Sequence, residues 1–180
     1  MSFIESSKFY TEKKVKMNPD KVFQSLSELQ IPYQNYEHPP TPSVEDALPY
    51  WENIDAVHCK NLFFRNHKGN KHYLVIFHYL KQLNIKQLEQ LLKQGKLSFA
   101  SEKRMLKYLG LLPGSVSPFG LINDTEKHVQ LFIDEDLMHT ENISFHPNIN
   151  TATVVISKDG FLKFLKHQGN QYTIIGFNPA

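Results

Sequence analysis

Cysteine is almost missing from this chain: Cys59 is the only one in 180 residues, so no internal disulfide can form and a reducing, cytoplasmic setting is expected. The opening stretch MSFIESSKFYTEKKVK has no uninterrupted apolar run of the kind a signal peptide needs. Nowhere does the chain approach the roughly 18 apolar residues of a membrane-spanning helix, so a soluble intracellular protein without a membrane partner is expected. Metal-binding spacings are missing too. The nine histidines include no His-x-His or His-x-x-x-His pair, and a lone cysteine cannot build a Cys-rich zinc site, so neither metal nor other cofactor is expected. There is no Gly-x-Ser-x-Gly elbow and no Walker-type Gly-x-x-x-x-Gly-Lys loop. Cys59 sits in an apolar strand pattern with no base that can be assigned to it, which favours inert packing over a nucleophile.

The chain does have enough apolar residues, 41% of the total, to bury one core, and its length suits one domain better than two. Net charge is only +2, but it is segregated. Residues 60–107 hold eleven Lys and Arg against two acids, a balance of +9, and the remainder holds nine against sixteen, a balance of −7. Such asymmetry is compatible with a basic face for a polyanion and equally with solvated lysines on helix exteriors.

Residues 1–17 show no clean period and are expected to be an N-terminal extension or an added edge, with one domain over 18–180. Asn18-Pro19-Asp20 is a helix start, Val22, Phe23, Leu26 and Leu29 follow at helical spacing to about Gln30, and Pro32 is expected to stop the helix. Tyr33–Glu37 is a strand candidate, ended by His38-Pro39-Pro40-Thr41-Pro42. Ser43 caps a short helix in which Val44, Ala47 and Leu48 are expected to share a face. Ala56–Phe64 and His72–His78 form a hairpin around Asn66-His67-Lys68-Gly69. A helix over 85–93, a strand over 96–99 and a helix capped by Ser101 and ended by Gly110 come next. Strands at 129–133, 143–145, 151–156 and 171–175 follow, with a helix over 158–167 capped by Ser157. Short strands with interspersed helices predict an α+β fold: a mixed, mostly antiparallel sheet of about six or more strands with surrounding helices.

Two features invite chemistry. The stretch from Leu112 to Asp124, LPGSVSPFGLIND, places two glycines and two prolines within eight positions. Pro113-Gly114 reads as a type II turn, with proline setting the second position and glycine the positive φ of the third. The following backbone N–H groups could cradle an oxyanion or a phosphate, or the loop could be a connector stiffened by proline. The second feature is Lys60, in a strand whose two faces, His58/Lys60/Leu62/Phe64 and Val57/Cys59/Asn61/Phe63, are both largely apolar. Its stem should lie in an apolar wall, with the ammonium either at a pocket or reaching solvent.

Four separated blocks then resemble one family. Cys59-Lys60-Asn61-Leu62-Phe63, Leu97-Ser98-Phe99-Ala100, the run from Gly114 to Asp124, and Phe145-His146-Pro147 with Asn150-Thr151-Ala152-Thr153 have the order and spacing of the YbaK-like aminoacyl-tRNA deacylases. The chain looks closest to the free-standing branch that edits prolyl-tRNA, over about residues 18–177. The resemblance implies the editing-domain fold and hydrolysis of the ester between alanine and the terminal adenosine of proline tRNA, acting in trans. It implies Lys60, Gly114 and His146 as catalytic residues. Asn61 and the loop residues Ser115, Val116, Ser117, Pro118, Phe119 and Gly120 would bind substrate, and Thr41, Val44 and Phe145 would shape a small-side-chain pocket. Its partners would be the acceptor end of proline tRNA and, as a candidate, prolyl-tRNA synthetase. The family chemistry needs no protein nucleophile, because the substrate's own 2′-hydroxyl helps to activate water; lysine, an ammonium at neutral pH, would then be an electrostatic anchor. Two other functions fit the same residues: a deacylase for another small amino acid such as cysteine, and a module that holds tRNA ends or a protein partner without hydrolysis.

Overall fold

The computed structural model describes residues 18–177, and the expected extension over 1–17 lies outside them. Helix α1, Asp20–Glu28, starts where Asn18 accepts the Asp20 N–H through its side chain (2.8 Å). It ends before the expected proline: Gln30 takes φ 53°, and the Leu29 and Gln30 amides close onto Ser25 and Ser27. The chain continues through β1 (Tyr33–Glu37), α2 (Val44–Trp51), β2 (Val57–Arg65), β3 (His72–His78), α3 (Ile85–Leu92), β4 (Ser98–Phe99) and α4 (Glu102–Leu109). A 3-10 helix over Pro118–Asn123 follows within the glycine-rich stretch, then β5 (Val129–Asp134), β6 (Asn142–Phe145), β7 (Ala152–Ser157), α5 (Lys158–Gln168) and β8 (Tyr172–Ile175). Ser157 caps α5 through Gly160 N–H, as expected, whereas Ser101 precedes α4 without a side-chain cap.

Among the described residues the sheet has eight strands in the order β1-β7-β6-β2-β3-β5-β8, with β4 added on β2. Four of the pairings are antiparallel (β1·β7, β6·β7, β2·β3, β2·β4), and three are parallel (β2·β6, β3·β5, β5·β8). The β2–β3 hairpin keeps the register Cys59↔His78 through Arg65↔His72.

Side-chain alternation builds two layers of packing on this sheet. On one face, Cys59, Phe63, Leu74, Ile76, Phe145, Val154 and Ile156 meet α1, α4 and α5 through Leu26, Leu109, Phe161 and Phe164. The other face is covered in two patches. Phe64, Tyr73, Val75 and Phe132 pack with Leu88 of α3, and Val155 packs with Ala47 and Trp51 of α2. At roughly 25 cal/mol per Å² of apolar surface removed from water, these layers supply the main stabilising term. The expected face of α2 needs correction: Val44, Ala47 and Trp51 turn inward at i, i+3 and i+7, and Leu48 is exposed. No helix among the described residues is long and apolar enough to cross a membrane.

Candidate active site

Strands β2 and β6 run parallel but pair at only two positions, Val57↔Ile143 and His58↔Ser144. Past these residues they part, and the gap becomes a cavity of about 350 Å³. Cys59 to Phe63 line one side and Ser144, Phe145 and His146 the other. The end of β1 supplies the wall above. His38 N–H and Thr41 N–H bond to Thr151 O (3.0 Å) and Asn150 O (2.9 Å), extending the β1·β7 ladder. The prolines at 39, 40 and 42 have no N–H to carry it on. Ser43 then starts α2 with a capping box: its Oγ accepts Asp46 N–H (3.2 Å), and the Asp46 carboxylate accepts Ser43 N–H (3.2 Å). This fixes Thr41, Val44 and Trp51 on the cavity.

The Gly114 turn closes the opposite rim. Ser115 N–H bonds Leu112 O (3.1 Å), and Gly114 takes φ 81°, the third-position geometry of a type II turn. A Cβ on Gly114 would lie 3.3 Å from Pro42 Cα and 3.4 Å from Pro42 O. Glycine therefore does two things here: it adopts the left-handed backbone and lets the turn rest on the Pro42 main chain. With Ser115 N–H held inside the turn, the N–H groups of the cavity-lining Gly114 and Val116 have no partner among the described residues.

Three side chains bring charge and polarity. Lys60 is half-buried on the cavity wall, and its ammonium forms no ion pair or hydrogen bond among the described residues. Lys81, by contrast, is bound to Asp134 (2.8 Å) and Asp136 (2.6 Å). Beside Lys60, the buried Oδ1 of Asn61 also has no partner. His146 donates from Nδ1 to Ala152 O (2.9 Å); because a carbonyl only accepts, the neutral ring keeps its lone pair on Nε2. Burial pulls the His146 pKa below the ordinary histidine value, the bond to Ala152 opposes that shift, and neighbouring His38 adds to it. The Cys59 thiol is pushed far up, mainly by burial and then by Asp134, so it stays protonated and inert. Among the described residues no three His, Cys, Asp or Glu side chains converge as metal ligands.

Thus Thr41, Val44, Lys60, Asn61, Gly114, Val116, Phe145 and His146 come together on one cavity. The other five expected contacts do not. Ser115 and Ser117 are buried, and Ser117 Oγ caps the 3-10 helix through Phe119 N–H. Pro118 is buried in the first turn of that helix. Phe119 stands edge-on to Phe145 (5.9 Å, 82°) and Phe164 (5.2 Å, 83°), supporting the cavity wall from behind. A Cβ on Gly120 would lie 2.7 Å from Leu111 Cδ1, so this glycine allows close packing rather than ligand approach.

Sequence reasoning missed Trp51, Ser144 and Thr153. Trp51 Nε1–H donates to Thr153 Oγ1 (3.3 Å), and its ring lies flat on His58 at 4.2 Å, whose Nδ1 is 2.6 Å from Ser144 Oγ. His38 donates from Nδ1 to Pro39 O and accepts the Thr153 hydroxyl at Nε2 (3.0 Å). The signal for Trp51 was present as helical spacing from Val44 and Ala47.

Comparison with known proteins places these residues in context. Residues 38–164 match the aminoacyl-tRNA editing domain family. The chain is 41% identical over 155 residues to the prolyl-tRNA editing protein ProX of Acetoanaerobium sticklandii, covering 86% of this chain and 94% of that protein. It is 32% identical over 159 residues to the prolyl-tRNA synthetase associated domain-containing protein 1 of Bos taurus, covering 86% of this chain and 92% of that one. The fold is shared with the crystal structure of hypothetical protein APE2540, with a TM-score of 0.67 and 18% identity over 86% of this chain and 97% of that chain.

Proposed function

The chain belongs to the aminoacyl-tRNA editing domain family, and on that premise we propose that it is a trans-acting hydrolase that removes alanine from mischarged proline tRNA. The name and near-complete overlap of the ProX relative support the choice of tRNA. The observation that carries the proposal is that Lys60 from β2, Gly114 from the turn and His146 from the end of β6 line the same cavity. A synthetase pocket built for proline cannot strongly reject a smaller apolar side chain, because a missing methylene is worth only about 1–3 kcal/mol. A second cavity that accepts the smaller residue and refuses the larger one restores fidelity, and here Thr41, Val44 and Phe145 set its width. The source of such mischarged tRNA, prolyl-tRNA synthetase, is the partner we propose.

The ester is an activated acyl group, so a positioned water can attack it directly. The Lys60 ammonium draws electron density from the ester carbonyl, and the N–H groups of Gly114 and Val116 receive the negative charge that develops on its oxygen. His146 Nε2 accepts a hydrogen bond from the attacking water. Water adds to the carbonyl carbon, the bond to the ribose oxygen breaks, and the proton given up by water ends on that oxygen. Alanine and free tRNA leave.

Release of alanine, cysteine, serine and proline from charged tRNA, measured for the native protein and Lys60→Ala, tests this. Alanine release that disappears in a K60A variant of unchanged circular dichroism and melting temperature is expected. Fast release of cysteine but not alanine would move the substrate, a fully active K60A would remove Lys60 from the mechanism, and tRNA binding without any release would leave a binding module.

A further inference from the structure

Phe99 is 61% exposed. One face of its ring is nevertheless covered. It stacks on buried Phe64 with centroids 4.8 Å apart and 23° between planes. Its backbone is fixed by the register Phe64↔Phe99 and by the Ala100 N–H bond to Phe63 O (2.8 Å). Phe99 also lines the cavity that holds Lys60 and Gly114. The side of the ring away from Phe64 is therefore an uncovered aromatic surface at the cavity rim.

The surroundings are positively charged. Arg104 of α4 donates to Gly69 O (2.6 Å), tying that helix to the β2–β3 turn. A Cβ on Gly95 would lie 3.0 Å from His67 Cβ, so the approach to β4 lies on the same turn. Lys68 and Lys71 of the turn, Lys96 before β4 and Lys103 of α4 are all exposed in this neighbourhood. The two acids of the segment are Glu89, which accepts from Leu97 N–H (2.8 Å), and exposed Glu102 beside Lys103, so the lysines outnumber the carboxylates here. An aromatic platform flanked by cations is the combination that holds an unpaired nucleotide, by stacking on the base and attraction to the phosphates.

We propose that Phe99 is the stacking platform for the terminal nucleobase of the tRNA 3′ end, holding the adenine outside the cavity while the aminoacyl ester enters it. This rests on the deacylase reading above. Its test compares deacylation of Ala-tRNA by the native protein, Phe99→Leu and Phe99→Trp. It also compares binding of a CCA trinucleotide carrying alanine through an amide with binding of the same molecule lacking the terminal base. Stacking is worth roughly ten-fold per base, so Phe99→Leu is expected to raise KM and the trinucleotide Kd about that much at nearly constant kcat. Phe99→Trp should restore both, and the Phe99→Leu effect on binding should disappear with the abasic ligand. A Phe99→Leu variant with native KM and Kd, or one equally impaired toward the abasic ligand, would overturn the proposal. If the native protein released no alanine, the functional reading would fail while the base-dependent binding comparison still decided the role of Phe99.

Discussion

Two lysines, Lys60 within β2 and Lys81 just past the end of β3, show how position decides role. Lys81 is bound to Asp134 and Asp136 and is a structural ion, although it contributes to the basic balance of residues 60–107. Lys60 has no such partner among the described residues and faces a cavity. Arg104 is also held inside the fold, by Gly69 O and by His72 Nε2 (2.9 Å). Reversing its charge would disturb packing as well as potential, so exposed Lys68 and Lys103 are the better probes of tRNA binding. His146 makes the sharpest prediction at this scale. Its working form here is neutral, and burial lowers its pKa, so the acid limb of kcat/KM should fall below the ordinary histidine value of about 6.5. In His146→Ala that limb should vanish and the rate drop roughly ten- to hundredfold, as expected for a lost hydrogen bond to a developing charge. A limb centred at or above the ordinary value, read from a pH–rate profile, would contradict this role.

At the scale of elements, the cavity depends on a turn resting on an extended segment. Gly114 lies against Pro42, and Pro42 lies one residue before the capping box that starts α2. A substitution at 114 should therefore act on both rims. Gly114→Ala must place a side chain in a left-handed conformation, at about 1–2 kcal/mol, and must also move the Pro42 main chain. The expected outcome is a melting temperature lowered by several degrees, with a larger proportional loss of deacylation than of stability. Native activity in a correctly folded G114A variant would show that the turn does no more than connect α4 to the 3-10 helix. Gly120, six residues on, is a different case, since its missing side chain lets the chain pack on Leu109 and Leu111.

At the scale of the whole molecule, two buried histidines are expected to make stability depend on pH on the acid side. His58, under Trp51, and His72, donating to His128 Nε2 (2.8 Å) while accepting from Arg104, are each pulled down to about 4, chiefly by burial. Unfolded, each takes up its proton near pH 6.5. Between pH 6.5 and 4 the unfolded chain binds more protons, so stability falls as pH falls. Above that window both states are neutral and the dependence disappears. The loss is complete below about pH 4 and reaches at most roughly 3 kcal/mol for each histidine. Denaturation midpoints at pH 7 and 4.5 should show it, and His58→Gln should flatten the slope; equal slopes in both proteins would exclude His58 as a contributor.

The amino-acid sequence by itself determined what depends on near neighbours. Helices, strands and the β2–β3 hairpin follow from spacing and turn residues, and the Pro113-Gly114 turn follows from the φ each residue prefers. The grouping of Lys60, Gly114 and His146 rested on the resemblance of four sequence blocks to one family, and the fold brings the three onto one cavity. What periodicity could not supply was the pairing of distant strands. The two-position contact of β2 with β6, which opens the cavity, joins residues 86 positions apart along the chain. Nor could sequence order tell which loop residues face a ligand: Gly114 and Val116 reach the cavity, whereas Ser117, Phe119 and Gly120 turn into the core within a few residues. Local preference sets the direction of each short segment, but only the packed sheet decides where two parallel strands separate, and that separation is the site.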